Sequence, residues 1–493
     1  MYIGIDCGTQ STKGVLWYEG KVLASSSVPH SLQSDATGKK EQHPNQWYLA
    51  MLKAIEDLIY QCPNSKLNIK GIGVSGQQHG LVILDKNDRV IRNSLLWCDT
   101  RPTQELKAFI SKYAIDFNLR LGIHVPVAFT IAKLLWVKHH HPTQFAQISK
   151  ILLPHDYLNY MLTGEYVAEP GDSSGTGWLD TYTRTFDASL MSILDLPDYF
   201  SFPRLVHSNQ VIGKLSSTIT NKFGLNSNVQ VSSGGGDNMM AAIGTGNVDN
   251  SKITMSMGTS GTVFTHAQTQ VPREHDPDIN AFCSSTNGYL PLVSTMNVTS
   301  ATSSILCLID QNVRDFDDLL NNAEPGANGL ISLPFYSGAR LPRKSNIKGA
   351  LIGMTNDNLT QENLLRANVE SISFNLNRAV NILKENCDLN LDTITLVGGG
   401  AKSKVWRQLI SDITGVPIRV PVESESAAIG SAIQAYWSIN DNSSIKDICQ
   451  EYIQFDSNAI CHPNGDNNQS YRDSFVHYLD ICEYYTNSKL NGS

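Results

Sequence analysis

At 493 residues the chain is too long for a single hydrophobic core, so two or three domains are expected. A hydrophobic fraction of 41% with 17% charged residues is that of a globular protein and excludes a disordered chain. The 38 basic and 46 acidic residues leave a net charge of -8, which excludes a non-specific grip on nucleic acid or on an anionic membrane. An anionic ligand therefore has to be held by local donors rather than by a broad basic field.

In chain order, YIGID and KGVLWY read as strands on either side of the turn CGTQST, and Tyr18-Glu19-Gly20 turns into a third strand, KVLASSSV. After Pro44, the residues Trp47, Met51, Ile55 and Leu58 have helical spacing. Ile69 to Val74 is an apolar strand that ends in Ser75-Gly76. Three strands, a helix and a strand are not the alternation that opens a dinucleotide-binding fold. The opening recurs at 252–265, KITMSMGTSGTVFT, where Gly258 and Thr259 fall 250 residues after Gly8 and Thr9. A repeat of half the chain points to two α/β domains of one design, 1–248 and 249–493, with the boundary near Asn247–Ser251. The polar tail after about Asn440 has weak helical patterning from Tyr471 to Tyr485 and reads as a peripheral appendage. Nine scattered cysteines without CxxC pairs fit the reducing cytoplasm better than a disulfide framework or a zinc site. The start, MYIGIDCGTQ, has neither a basic region nor a long apolar stretch, so no signal peptide and no membrane span are expected.

Four glycine turns after short strands carry the chemistry. The first, Asp6-Cys7-Gly8-Thr9-Gln10-Ser11-Thr12, lets the backbone approach a ligand and offers hydroxyls and amides to phosphate oxygens. One such hairpin is most often a plain turn, but Gly258-Thr259-Ser260-Gly261 in matching context would close on the same phosphates from the other domain. Asp6 stands where the second loop has Ser256; a carboxylate beside phosphates needs a divalent cation between them, so Asp6 is the magnesium-side residue, acting through water. The third turn, Gly234-Gly235-Gly236-Asp237-Asn238, precedes a helix. Asp237 is either a helix cap or a base that accepts the proton of an attacking sugar hydroxyl. The fourth, Gly398-Gly399-Gly400-Ala401-Lys402-Ser403, offers flat backbone and a helix start to the ribose and adenine of a nucleotide, or is simply a tightly packed turn. Gln77-Gln78-His79 at the end of an apolar strand suits sugar hydroxyls. The run His139-His140-His141 has no ligand spacing and reads as a solvated helix end.

These segments, with GVSGQQHG, LLWCDTR, FTIAKLLW, LPHDYLNYMLTGEY, DSSGTGWLD, GALIGMT and VGGGAKSKVWRQLISDITG, resemble the FGGY carbohydrate kinases over roughly Tyr2 to Trp437. Within that family they are most similar to the members that phosphorylate D-xylulose at O5. The resemblance implies two related actin-like (ribonuclease H-like) domains that close over an interdomain cleft. It implies MgATP as donor, a small sugar as the partner, a cytoplasmic enzyme, and leaves a homodimer open. By matching position, Asp237 is the base, and Gln78, His79, Asp237 and Asn238 contact the sugar. Asp6 serves the metal; Thr9, Ser11, Thr12, Gly258, Thr259 and Ser260 surround the phosphates; Gly399, Gly400 and Ser403 lie on the adenosine side.

Two segments depart from the family pattern. Gln78 stands where Met is common, and Ser337-Gly338-Ala339-Arg340-Leu341-Pro342 stands where the family often reads SGERTP. The first touches the sugar pocket, so kinases of D-ribulose, L-ribulose or another small polyol remain alternatives, since epimers are separated by buried hydrogen bonds. From a different class come a non-catalytic sugar and ATP sensor, which would not need to retain Asp6 and Asp237, and an actin-like chaperone, which would not need Asp237 with a nearby sugar cluster.

Overall fold

The computed structural model describes residues 1–344, 346–440 and 443–488; residues 489–493 of the expected second half lie outside these. The first half is built on β1 (Tyr2–Cys7), β2 (Ser11–Tyr18) and β3 (Lys21–Pro29), followed by helix α1 (Pro44–Gln61) and β4 (Gly71–Gly76). Later come β5 (Val211–Lys214), β6 (Gln230–Ser232), the two-residue β7 (Gly235–Gly236) and α2 (Asp237–Gly244). They form a seven-stranded sheet in the order β5-β6-β4-β1-β2-β3, with β7 also paired to β4. β1 runs antiparallel to β2 but parallel to β4.

The second half repeats this plan. β8 (Lys252–Met257), β9 (Gly261–Thr265), β10 (Ile279–Cys283), β11 (Tyr289–Thr295), β12 (Thr393–Val397) and β13 (Ile418–Arg419) form a six-stranded sheet, β10-β11-β9-β8-β12-β13. Here too the inner strand β8 is antiparallel to its hairpin partner β9 and parallel to β12. Helices α3 (Gln361–Asn386) and α4 (Lys404–Thr414) belong to this half. The expected α/β fold with two related sheets is therefore present.

Strand alternation explains the packing of β1. Ile3, Ile5 and Cys7 join the core under α1, with Trp47, Met51, Ile55 and Leu58 from the helix. The opposite face carries Tyr2, Gly4 and Asp6 and is covered by α5 (Ser426–Ile439). A Cβ on Gly4 would lie 1.8 Å from the Ala428 carbonyl oxygen, so only glycine lets this helix sit so close. α5 packs on α2 in the same manner, where a Cβ on Gly430 would lie 1.8 Å from the Met240 oxygen. A helix late in the chain thus covers the first sheet, with its start on the Asp6 side.

The segment after Asn440 differs from a peripheral appendage. Helix α6 (Gly465–Asn487) inserts Tyr471, Tyr478 and Cys482 into the core of the second half. Tyr471 donates to Glu370 (2.9 Å) and accepts from Arg366 (2.6 Å), both on α3. Three buried side chains seven and four residues apart hold this helix. Of its polar residues, Asn467 and Asn468 turn inward as well and donate to Asp412 of the second half (2.9 and 2.7 Å).

Candidate active site

Because β1, β4 and β7 are parallel and in register, with Cys7 and Gly236 both opposite Gly76, their C-terminal ends open side by side. This one sheet edge presents the Gly8 turn, the Gln77-Gln78-His79 segment and Asp237 together. In the second sheet Ser256 is opposite Val397, which brings the turns after Met257 and Val397 together in the same way.

In the first turn, Gly8 N–H donates to the Ser11 carbonyl (3.0 Å), closing the hairpin. Thr9 Oγ1 donates to Gln77 Oε1 (2.9 Å) and accepts from Trp97 Nε1 (3.1 Å), which locks its position. Thr12 is fully buried, with its hydroxyl 2.8 Å from His30 Nε2, so that hydroxyl faces inward rather than into the cleft. Asp6 Oδ1 accepts from Ser75 Oγ (2.8 Å), and burial pushes its carboxyl above the ordinary range. Opposite Asp6 in the β1–β2 register is Lys13, paired with Glu425 at the start of α5 (2.7 Å). Lys13 has no motif of its own in the sequence; its hairpin register with Asp6 is the signal that marks it.

Asp237 begins α2, and its Oδ1 accepts from the Asn238 N–H (2.7 Å) and from Asn238 Nδ2 (2.9 Å). Asn238 Nδ2 also donates to Gln78 Oε1 (3.0 Å), joining three of the expected sugar ligands in one network. Burial, then the charges of Asp6 and Asp172, pushes the Asp237 carboxyl up to about 7. The triple glycine is held by Gln434 of α5, which accepts from Gly234 N–H (2.9 Å) and donates back to the Gly234 carbonyl (3.0 Å). A Cβ on Gly236 would lie 2.9 Å from both Asp172 Oδ1 and Gln78 Cγ. Gly236→Ala is therefore expected to displace Gln78 and raise the sugar KM about tenfold with a smaller change in kcat, which steady-state kinetics would read.

His79 adopts a left-handed backbone (φ 66°) and packs in a three-ring cluster with Phe129 (4.7 Å) and Phe282 of β10 (6.0 Å), which also contact each other (5.9 Å). Burial, then the nearby Lys133, lowers its pKa to about 3, so the ring is neutral. Its Nδ1 lies 2.9 Å from the Gly175 carbonyl, which fixes that nitrogen as the donor and leaves Nε2 as an acceptor for a hydroxyl.

In the second half, the Gly258 and Thr259 carbonyls accept from Thr299 N–H (3.0 Å) and Val298 N–H (3.1 Å), which brace the loop. Gly399 faces open space, whereas a Cβ on Gly400 would meet Met257 (2.9 Å) and Trp406 (3.1 Å). Ser403 caps α4: its Oγ accepts from Trp406 N–H (2.9 Å) and donates to Asp317, a residue without a local sequence signal. Of this turn, Gly399 is the surface and Gly400 and Ser403 are its support.

The sequence also gave no sign of a buried group beneath Gln78. His155 lies between Asp172 Oδ2 (2.6 Å) and Asp156 Oδ1 (3.0 Å), all at or near zero exposure. Elsewhere, His139 and His140 do approach a third ligand type: their nitrogens and a Glu105 oxygen lie within 4.8 Å of one another. Glu105 comes from a different helix, so spacing along the chain does not reveal this proximity.

Residues 1–244 match the FGGY family of carbohydrate kinases, N-terminal domain, and residues 253–439 match the corresponding C-terminal domain. The chain belongs to the FGGY family of carbohydrate kinases. As an FGGY kinase it uses ATP to phosphorylate a carbohydrate. It is 41% identical to a xylulose kinase of Haemophilus influenzae, over 97% of this chain and 99% of that one. A crystal structure of ligand-bound xylulose kinase from Lactobacillus acidophilus superposes with a TM-score of 0.91 at 28% identity, covering 99% of this chain and 98% of the other. A structure of gluconate kinase from the same organism gives the same TM-score, identity and coverage, so shape at this level does not select the sugar. Among the described residues no helix is long and apolar enough to cross a membrane.

Proposed function

We propose that this FGGY kinase transfers the γ-phosphoryl group of MgATP to O5 of D-xylulose, giving D-xylulose 5-phosphate and ADP. The observation that carries this reading is Asp237, at the sheet edge shared by the first phosphate loop and the Gln78, His79 and Asn238 cluster. The 41% identity to a xylulose kinase over nearly the full length supports the sugar. Asp237 accepts the proton of the attacking hydroxyl as its oxygen bonds to phosphorus and the bond to ADP breaks. Gln78, His79 and Asn238 orient the sugar, and the neutral His79 does so without adding charge. The loops at Thr9 and Ser11, backed by the buried Thr12, and at Gly258, Thr259 and Ser260 hold the phosphates, while Gly399 forms the adenosine platform on the support of Gly400 and Ser403. Asp6 and Asp237 are oxygen donors whose mutual repulsion a hard divalent cation would relieve, which fits Mg2+ on the Asp6 side. Mg2+ bound there would neutralise charge on the phosphate oxygens. We place the reaction in the cytoplasm, in keeping with nine cysteines that are all unpaired.

The test is ADP release with MgATP against D-xylulose, D-ribulose, L-ribulose, glycerol and D-gluconate. Turnover strongest with D-xylulose is the expected result; another preferred sugar would correct the substrate, and none would sink the assignment. Gln78→Met restores the common family residue and deletes the acceptor for Asn238. It is expected to shift the D-xylulose KM by up to about tenfold with kcat and the MgATP KM held within about threefold, read in the same assay.

A further inference from the structure

Arg340 is the cleft-facing cation that neither the phosphate loops nor the sugar cluster accounts for. Among the described residues its guanidinium makes no ion pair and no hydrogen bond, whereas Arg343, three residues on, bonds Asp278 at 3.2 Å. Solvent reaches Arg340, yet enough protein surrounds it for burial to lower its pKa, a combination expected of a group standing in a cleft.

Its position is set by both phosphate loops. On its own half, Asn297 Nδ2 donates to the Gly338 carbonyl (2.8 Å), and Asn297 Oδ1 accepts from Ser337 N–H (3.2 Å). The next two residues, Val298 and Thr299, donate to the Thr259 and Gly258 carbonyls. The loop that carries Arg340 is therefore tied within a few bonds to the second phosphate loop. On the other half the guanidinium lies over the Trp97 ring, 5.8 Å from its centre, and the Trp97 indole N–H donates to Thr9 of the first phosphate loop. The same charge also acts on His79 in the sugar cluster, helping to keep that ring neutral. Arg340 thus stands where the two phosphate loops and the sugar pocket converge.

We propose that Arg340 is a catalytic residue whose guanidinium binds the phosphoryl group during its transfer from ATP to the sugar. The proposal rests on the kinase reading above. A planar fork with unclaimed donors fits two oxygens of a phosphoryl group in flight, and the absence of an acidic neighbour at Ala339 leaves its charge available. Trp97 holds the guanidinium in place without neutralising it.

Two measurements on the full-length protein test this. With MgATP and the preferred sugar, Arg340→Gln is expected to lower kcat by about 10² to 10³ with the sugar KM within about threefold. By calorimetry, the same variant should bind MgADP within about threefold of wild type but MgADP with aluminium fluoride, a mimic of the group in transfer, at least about thirtyfold more weakly. Unchanged kcat, equal weakening of both nucleotide complexes, or a loss confined to sugar KM would overturn the proposal. If Arg340→Gln does not fold, Arg340→Lys decides: a point charge should lose about tenfold in kcat, and wild-type values would overturn it. Failure of the pentulose reading looks different, as wild-type protein inactive on every sugar tried; the fluoride comparison still decides the role of Arg340.

Discussion

Asp237→Asn is expected to lower sugar-dependent kcat by about 10³-fold while MgATP affinity stays within about threefold. The amide keeps the shape of the side chain and its bond from Asn238, so what is lost is the ability to take a proton. The wild-type pH profile carries the same information. With its carboxyl at about 7, Asp237 is partly protonated in the free protein at neutral pH, so kcat/KM should rise with pH and level off above about 7. A cation held near Asp6 and Asp237 favours the ionised form, so the acid limb of kcat should lie at lower pH than that of kcat/KM. A stability effect follows with a definite sign. The folded carboxyl titrates above its unfolded value of about 3.9, so the native state binds its proton more tightly and stability falls as pH rises from about 4 to about 7. Asp237→Asn deletes that slope. It should be more stable than wild type at pH 8 and nearly equal at pH 4, as read by urea unfolding at both pH values. Wild-type turnover in the variant would remove Asp237 as the base, and lower stability at pH 8 would contradict the account of its charge.

The parts of this site that were legible in the sequence are those encoded over short stretches. A glycine, threonine and serine turn between two β-rich runs has few alternatives, so the hairpins at Gly8 and Gly258 and their repetition could be read directly. The same is true of Asp237 after three glycines and of the polar cluster at the end of β4. What was not legible depends on partners distant in the chain. Thr12 looks like a phosphate ligand until His30, on the other side of β3, claims its hydroxyl. Ser403 looks like a contact on the adenosine side until the cap of α4 and Asp317 claim it. The small residues of α5 encode close approach, but not that the approach is to β1 and α2. Arg340 and Trp97 meet only because two halves of the chain face each other.

The buried group under Gln78 leads to the second large effect, in stability. Burial alone would push the His155 imidazolium down, but Asp156 and then Asp172 hold its pKa well above the ordinary value. A histidine raised in this way contributes stability that is fully present below its unfolded pKa of about 6.5 and is lost only as pH rises through the higher folded value. The native ring therefore keeps its charge to higher pH than an ordinary histidine. His155→Ala leaves two carboxylates buried without their cation, close to a third, Glu169, and is expected to cost about 3 to 5 kcal/mol at pH 8. At pH 5 the stranded carboxylates can take up protons, so the loss should shrink. Asp172→Asn added to His155→Ala removes one stranded charge and should recover part of the stability at pH 8, a coupling that urea unfolding of the single and double variants measures. The same step reaches the catalytic base, because the Asp172 charge is one of the two that raise the Asp237 carboxyl. Once Asp172 is protonated or replaced by Asn, that repulsion is gone, and the acid limb of kcat/KM should move to lower pH. A buried histidine with no such link would lower stability without moving the limb, so the pH profile separates a structural ion pair from one that tunes the base.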